Sequence, residues 1–135
     1  MTTFRIREAA NLLGVSDDTL RRWADAGRVP TITENGRLAI DGAALAQFAE
    51  ELARATDRPT PEPVIRESAR NRFVGLVTNV LKDTVMAKVE MQAGPHRIVS
   101  LMSREAADDL DLKPGTLAVA SVKSTNVVIE VPAQP

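Results

Sequence analysis

The chain contains no cysteine and a single histidine, His96, among its 135 residues. The absence of cysteine excludes disulfide bonds and thiolate metal sites. One imidazole is too few for the histidine-based zinc sites of proteins, and its surroundings, QAGPHR, have the composition of a turn. We therefore expect His96 to be a solvated loop residue and the chain to hold no metal.

The sequence also lacks a long apolar run. No stretch approaches the roughly 18 apolar residues that a membrane-spanning helix needs. The first residues, MTTFRIREAA, lack the apolar core of a secretory signal. With 44% hydrophobic and 26% charged residues, the composition is that of a soluble globular protein of one ordinary domain or two small ones. We expect a cytoplasmic protein with no membrane partner.

An excess of charge of one sign is missing as well. Residues 1–57 contain seven arginines and nine acids, and residues 58–135 contain ten basic residues and nine acids. Neither half is basic enough to indicate a nucleic-acid partner on its own. Any contact with DNA must therefore depend on the placement of individual arginines.

Three prolines divide the chain. Pro59, Pro61 and Pro63 occupy alternate positions in DRPTPEPVIRE, which disfavours helices and strand ladders and favours an extended spacer. Before this segment apolar residues mostly recur at helical spacing, and after it they alternate or form short runs. We predict an α+β protein of two domains, residues 1–56 and 68–132, joined by a linker over residues 57–67.

The N-terminal pattern predicts two short helices, a hairpin and a third helix. Gly14 can end the first helix and Ser16 can cap the second, and two helices joined by so tight a turn form a helix-turn-helix. The Asn35-Gly36 pair lies between β-prone flanks and predicts a two-residue hairpin, or wing. Residues 43–55 predict the third helix, with its apolar side formed by Leu45, Phe48 and Leu52.

The second helix has an apolar side and a polar side. Leu20, Trp23 and Ala24 share the apolar side, so the outward residues are Thr19, Arg21, Arg22 and Asp25. The text LLGVSDDTLRRWADAGRVP and the hairpin resemble the excisionase and MerR-type winged helix-turn-helix over about residues 4–56. This resemblance implies that the major groove of DNA is approached by Thr19, Arg21 and Arg22, and that Arg37 in the wing reaches the backbone or minor groove. The alternative is that these arginines form a solvated face of helices that mediate protein contacts.

The C-terminal pattern predicts a small five-stranded barrel. Val85, Ala87, Val89 and Met91 alternate with polar or flexible residues, and the last strand is indicated by Val127, Ile129 and Val131. A short helix capped by Ser103 falls between the third and fourth strands, which is the order of an oligonucleotide/oligosaccharide-binding (OB) barrel. Residues 73–81 and 117–122 are apolar on both faces. This predicts a barrel interior on one side and a partner subunit on the other.

Two short polar motifs flank the predicted strands. Residues 68–71, SARN, precede the first strand, and VKSTNV lies between the last two. Hydroxyl and cationic donors without a carboxylate in either motif suit a small dianion that has no proton to donate. The alternatives are a turn cap for Ser68, a surface ion pair for Arg70 and a protective edge-strand lysine for Lys123. Asn71 we assign to structure, holding the entry into the first strand.

The stretch SARNRFVGLV followed by VKSTNVVI is similar to the Mop, or molbindin, domain over residues 66–131. The resemblance implies a barrel that binds molybdate, with tungstate as a second candidate, at a subunit interface. The side chains that it assigns to the oxyanion are Ser68, Arg70, Lys123 and Ser124. It also implies a homo-oligomer, either a dimer or a hexamer built as a trimer of dimers, in which binding and assembly are coupled.

The two resemblances together imply a molybdate-sensing, DNA-binding transcriptional regulator. The alternative is an intracellular molybdate or tungstate storage or buffering protein whose helix-turn-helix serves assembly. We do not expect an enzyme, because no nucleophile–base pair and no catalytic metal constellation appears in the sequence.

Overall fold

The computed structural model of the chain describes residues 2–55 and 68–133. The chain divides into two compact units, residues 1–58 and 59–135. The predicted linker, residues 57–67, lies outside the described residues. Among the residues that are described, no helix is long and apolar enough to cross a membrane.

The N-terminal unit combines three helices with a three-stranded antiparallel sheet. The strands are β1 (Thr3–Arg5), β2 (Ile32–Glu34) and β3 (Arg37–Asp41), in the order β1-β3-β2. The helices are α1 (Ile6–Leu13), α2 (Asp17–Asp25) and α3 (Gly42–Ala55). The predicted helix-turn-helix, hairpin and third helix are confirmed. Strand β1 was not predicted, because three residues are too few to show a period.

Local side-chain chemistry ends the helices and turns the hairpin as the sequence indicated. Gly14 ends α1 at a φ of 75°, and the Ser16 hydroxyl accepts a hydrogen bond from the Thr19 amide at 3.1 Å. Asn35 and Gly36 have φ values of 54° and 77°, as a two-residue hairpin turn requires. The connection between α1 and α2 is therefore short and fixed, which sets the orientation of α2.

The core of the N-terminal unit joins all three helices to β3. Its buried side chains are Ile6, Ala9, Ala10, Leu20, Val29, Ile40, Leu45 and Phe48. Trp23 of α2 packs edge-on against Phe48 of α3, with 5.6 Å between ring centroids. The Arg28 guanidinium lies 4.9 Å from the centre of the Trp23 ring, a cation–π contact. These contacts hold the inner side of α2, so its other side faces solvent.

The C-terminal unit is built on a four-stranded antiparallel sheet. The strands are β4 (Asn71–Lys82), β5 (Met86–Ala93), β6 (His96–Ser103) and β7 (Leu117–Val122), in the order β6-β5-β4-β7. Helix α4 (Arg104–Asp109) follows β6, and the Ser103 hydroxyl caps it by accepting from the Ala106 amide at 3.0 Å. The predicted alternation is confirmed for Ala87, Val89 and Met91, which β5 buries together with Ala93, whereas Val85 precedes the strand and is exposed.

Side chains and a glycine shape the two ends of the β4–β5 pair. Asp83 Oδ1 accepts from the amides of Met86 at 2.7 Å and Val85 at 2.8 Å, and these bonds hold the pKa of Asp83 below its usual value. Farther along, a Cβ added to Gly75 would lie 2.2 Å from the carbonyl oxygen of Gln92. Only glycine therefore lets β4 approach β5 this closely.

The fifth strand and the closed barrel of the sequence prediction are not confirmed. Residues 127–133 form no helix or strand, and within the described residues the sheet has four strands. Val128 and Ile129 are 79% and 83% exposed. Alternating apolar residues indicate a tendency to form a strand, but a strand also needs an edge to which its backbone can hydrogen-bond. In the described chain the segment pairs with neither edge strand, β6 or β7.

The outward face of the C-terminal sheet carries exposed leucines. Leu81 lies opposite Lys88 and Lys88 opposite Leu101, so the three side chains share one face, and Leu76 faces Leu117 in the same way. All four leucines are exposed. His96 is exposed as predicted, but it is the first residue of β6 rather than a loop residue, and its ring lies 6.4 Å from that of Phe73.

Candidate functional site

The outward side of α2 is polar and lies next to the turn between the two helices. Arg21, Arg22 and Asp25 are exposed, whereas Leu20 is fully buried and Trp23 half-buried on the opposite side. A helix of nine residues held by its inner face and open on its outer face has the geometry of a helix that enters the major groove of DNA.

Thr19 differs from the other outward residues, because it is half-buried and its hydroxyl has partners. It accepts a hydrogen bond from the Ser16 hydroxyl at 2.9 Å and one from Arg22 Nη2 at 3.3 Å. The structure thus brings Thr19 and Arg22 together at the start of α2. This hydrogen bond positions the guanidinium of Arg22 against Thr19.

A second cation, Arg5, lies beside Arg37 of the wing, and the sequence pattern did not indicate it. Arg37 is exposed at the start of β3 and lies opposite Glu34. Arg5 at the end of β1 pairs with Ala39, and Arg5 and Arg37 line the same small cavity. Thr3 Oγ1 donates to Glu34 Oε2 at 2.6 Å and fixes the wing to β1. Since β1 has no sequence period, its alignment with the wing could be found only from the structure.

The first polar motif of the C-terminal unit lies at one end of the sheet. Ser68 and Arg70 are exposed, while Ala69 between them is buried. The Asn71 side-chain amide donates to the Val122 carbonyl at 3.2 Å, which confirms the predicted structural role of Asn71. This bond ties the entry of β4 to the exit of β7.

The second motif emerges at the same end. Asn71 and Val122 are directly opposed in the β4–β7 pair, so the residues before Asn71 and those after Val122 leave the sheet side by side. Opposed Cα atoms in such a pair are about 4.5–5.5 Å apart. Lys123 and Ser124 open a short 3-10 turn, in which the Asn126 amide donates to the Lys123 carbonyl at 2.9 Å.

The four predicted oxyanion residues are therefore brought to one end of one sheet. They supply two cationic groups and two hydroxyl groups, all exposed: Ser68, Arg70, Lys123 and Ser124. Within the described residues Lys123 has no ion-pair partner. Converging cationic and hydroxyl donors can bind a small anion through charge-assisted hydrogen bonds.

Comparison with known proteins decides which family the C-terminal unit represents. Residues 67–129 match the model of the TOBE domain. Over 63 residues the chain is 41% identical to molybdenum-pterin-binding protein 3 of Clostridium pasteurianum, and the alignment covers 46% of this chain and 93% of that protein. The chain belongs to the TOBE domain family. The TOBE domain thus contains both polar motifs and the whole four-stranded sheet.

The other half of the chain matches a second family. Residues 3–53 match the model of the helix-turn-helix domain, so an N-terminal helix-turn-helix precedes the TOBE domain, as predicted. The molybdenum transport protein ModE of Herbaspirillum seropedicae is 36% identical over 66 residues, which cover 48% of this chain and 24% of that protein. A molybdate-binding protein of Sporomusa ovata superposes with a TM-score of 0.48 and 33% identity, covering 50% of this chain and all of that one. The matched families are binding and regulatory families.

Proposed function

We propose that the protein is a molybdate-sensing DNA-binding transcriptional regulator, in which the TOBE domain binds the oxyanion and the helix-turn-helix binds DNA. The observation that carries the proposal is the position of Arg70 and Lys123, with their neighbouring serines, at the same end of the β4–β7 pair. The similarity of this domain to a molybdenum-pterin-binding protein and to a molybdenum transport protein supports molybdate as the ligand.

The chemistry of the four side chains supports a fully deprotonated oxyanion. Molybdate and tungstate carry no proton near neutral pH, so they accept hydrogen bonds from cationic and hydroxyl groups on every side. Phosphate is partly protonated near neutral pH, so its hydroxyl group needs a hydrogen-bond acceptor such as a carboxylate. None of the four proposed side chains is a carboxylate. The proposed site therefore selects dianions, and selection of molybdate over sulfate requires a completed pocket that fits the larger anion.

A homo-oligomer completes the site in this proposal. The four donors are exposed and contact an anion from one side only, so a second subunit supplies the other side. The exposed outward leucines of the sheet and the apolar segment 127–131 support such an assembly, because contiguous exposed apolar surface marks interaction sites. The assembly is a dimer or a hexamer of three dimers, and ligand binding is coupled to it.

In this proposal the helix-turn-helix converts molybdate binding into a change in DNA binding. Arg21 and Arg22 of α2 reach the major groove in this proposal, and Arg37 of the wing, with Arg5 beside it, reaches the phosphate backbone. Few cations per subunit give weak binding, so several subunits must act together on one operator. Molybdate changes DNA affinity only if the DNA-bound and free arrangements bind it differently.

Calorimetric titration of the purified full-length protein tests the oxyanion half of the proposal. We expect molybdate to bind tightly and sulfate, a smaller dianion, at least about 10-fold more weakly. Phosphate should bind more weakly still, because the four side chains include no carboxylate to accept its proton. Comparable affinities for sulfate and molybdate would contradict the proposed selectivity. Absence of heat with molybdate would leave a DNA-binding protein with a different effector.

Replacing both Arg21 and Arg22 by alanine tests the DNA half. Each lost arginine contact to a base removes about 1–3 kcal/mol, so loss of both should lower specific promoter affinity about 30-fold or more while molybdate affinity stays unchanged. Fluorescence anisotropy with a labelled promoter fragment measures the change. Arg54→Ala is the control, because Arg54 is also an exposed arginine but lies on α3, where it pairs with Glu50.

Two results of that comparison would count against the proposal. A double variant that binds the promoter as tightly as the wild type would show that α2 is not the recognition helix. A wild-type protein that takes up molybdate but distinguishes no promoter from random DNA would favour a storage or buffering protein whose helix-turn-helix serves assembly.

A further inference from the structure

The outward face of α2 carries carboxylates as well as arginines. Asp18, Arg22 and Asp25 are exposed and follow one another at spacings of four and three residues, which places them in one row along the helix. DNA phosphates repel carboxylates, so an acid on a helix that enters the major groove needs an explanation. The inference below rests on the proposed DNA-binding function and concerns Asp18, the outward acid nearer the start of α2.

A salt bridge within the helix does not account for Asp18. Asp18 and Arg22 are four residues apart, the spacing at which such pairs form. However, Arg22 Nη2 donates to Thr19 Oγ1 at 3.3 Å, and in the described part of the chain Asp18 has no ion-pair partner. Both charged groups thus remain available on the outer surface of the helix.

The helix dipole favours a negative charge at Asp17 and at Asp18 alike, and because successive helix residues point about 100° apart, only one of the two faces the same side as Arg22. Both lie in the first turn of α2, where a negative charge is favourable. Asp17 is half-buried, on the flank of the helix near the core, whereas Asp18 is exposed beside Arg22. In a helix-turn-helix the residues at the start of the second helix are those that contact base edges.

We propose that Asp18 is a specificity-determining residue that selects cytosine in the operator. A carboxylate only accepts hydrogen bonds, and in the major groove the base-edge donors are the amino groups of cytosine and adenine. In adenine the acceptor N7 lies beside the amino group and repels a carboxylate, so cytosine is preferred. Arg22, one turn farther along the same face, then reads a neighbouring guanine through its O6 and N7 acceptors.

Selection of bound sequences from a randomised DNA library tests this assignment with the full-length protein. The wild type should enrich a motif in which one position of each half-site is cytosine, preferred about tenfold. Asp18→Asn should lose that preference and shift the position towards adenine, because an asparagine amide matches the adenine N6 and N7 edge. It should also raise the affinity for unrelated DNA, since one repulsive charge is removed.

Asp17→Asn is the matched control. It removes the same charge from the same helix turn, so it shares any effect on α2 stability, but it should leave the cytosine preference unchanged. Thermal unfolding of both variants checks that α2 still forms.

The outcomes separate this inference from the proposed function. If the wild type and Asp18→Asn enrich the same motif, Asp18 does not read a base, although the DNA-binding function stands. If Asp17→Asn alters the motif as much as Asp18→Asn, the effect belongs to the helix dipole and the inference is wrong. If the wild type enriches no motif, both the inference and the proposed DNA-binding function are wrong.

Discussion

Replacing Arg70 by alanine is expected to lower the affinity for molybdate about 10- to 150-fold. A hydrogen bond to a charged group contributes about 1.5–3 kcal/mol, and Arg70 supplies the only guanidinium among the four proposed oxyanion side chains. Its position next to Asn71, which is tied to Val122, places it beside Lys123 at the end of the sheet. Calorimetric titration with molybdate measures the loss directly.

A matched variant separates loss of the site from a general loss of positive charge. Arg97→Ala removes an exposed arginine from β6, the edge strand farthest from β7, where Arg97 pairs with Glu90. We expect this variant to keep wild-type molybdate affinity. Arg70→Lys should recover part of the affinity, because it restores the charge but not the two-pronged donor geometry.

Thermal unfolding supplies an independent measurement of the same site. In the proposed function molybdate binds the folded protein and not the unfolded chain, so it should raise the unfolding temperature of the wild type and of Arg97→Ala but not of Arg70→Ala. If Arg70→Ala retains full molybdate affinity, the SARN segment is a strand-entry motif and the anion site lies elsewhere in the chain.

The elements that local side-chain chemistry determines were predictable from the sequence. Ser16 caps α2, Gly14 ends α1, and Asn35 with Gly36 turns the hairpin, each through bonds or φ values confined to a few neighbouring residues. The helix cap at Ser103 and the alternation of β5 were predicted for the same reason. Such features need no knowledge of the rest of the chain.

The features that the sequence did not reveal depend on distant partners. Strand β1 exists because residues 3–5 pair with β3, more than thirty residues along the chain, and this pairing puts Arg5 beside Arg37. Gly75 is required by the Gln92 backbone on the next strand. The side-by-side placement of residues 68–70 and 123–124 follows from the β4–β7 register. Resemblance to a known family indicated the two polar motifs, but only the strand pairing brings them to the same end of the sheet.

The segment 127–131 has the pattern of a strand but not its hydrogen bonds. Its side chains alternate, and Val128, Ile129 and Val131 are each about four-fifths exposed in the described chain. Three neighbouring β-branched residues in water are unfavourable, since burial of each would contribute about 1.5–3 kcal/mol. In the proposed assembly a second subunit covers this segment. A charged substitution here should therefore weaken the association of subunits strongly.

Ile129→Asp is therefore expected to break the oligomer. A two-fold interface contains the residue twice, so loss of burial alone costs about 3–6 kcal/mol and weakens association about 100-fold or more, and an unpaired carboxylate adds to the cost. Light scattering after size-exclusion chromatography measures the mass, which should fall at micromolar concentration, to that of a single chain if the assembly is a dimer and to that of a smaller subassembly if it is a hexamer. Molybdate affinity should fall with it, because the proposed site needs both subunits.

Leu12→Asp is the control for that measurement. Leu12 is 65% exposed, but it lies on α1 of the helix-turn-helix unit and not in the TOBE domain. The variant should keep the oligomer and its molybdate affinity. If Leu12→Asp separates the subunits and Ile129→Asp does not, assembly runs through the helix-turn-helix. If Ile129→Asp is a single chain that binds molybdate as tightly as the wild type, the anion site is complete within one subunit and binding is not coupled to assembly.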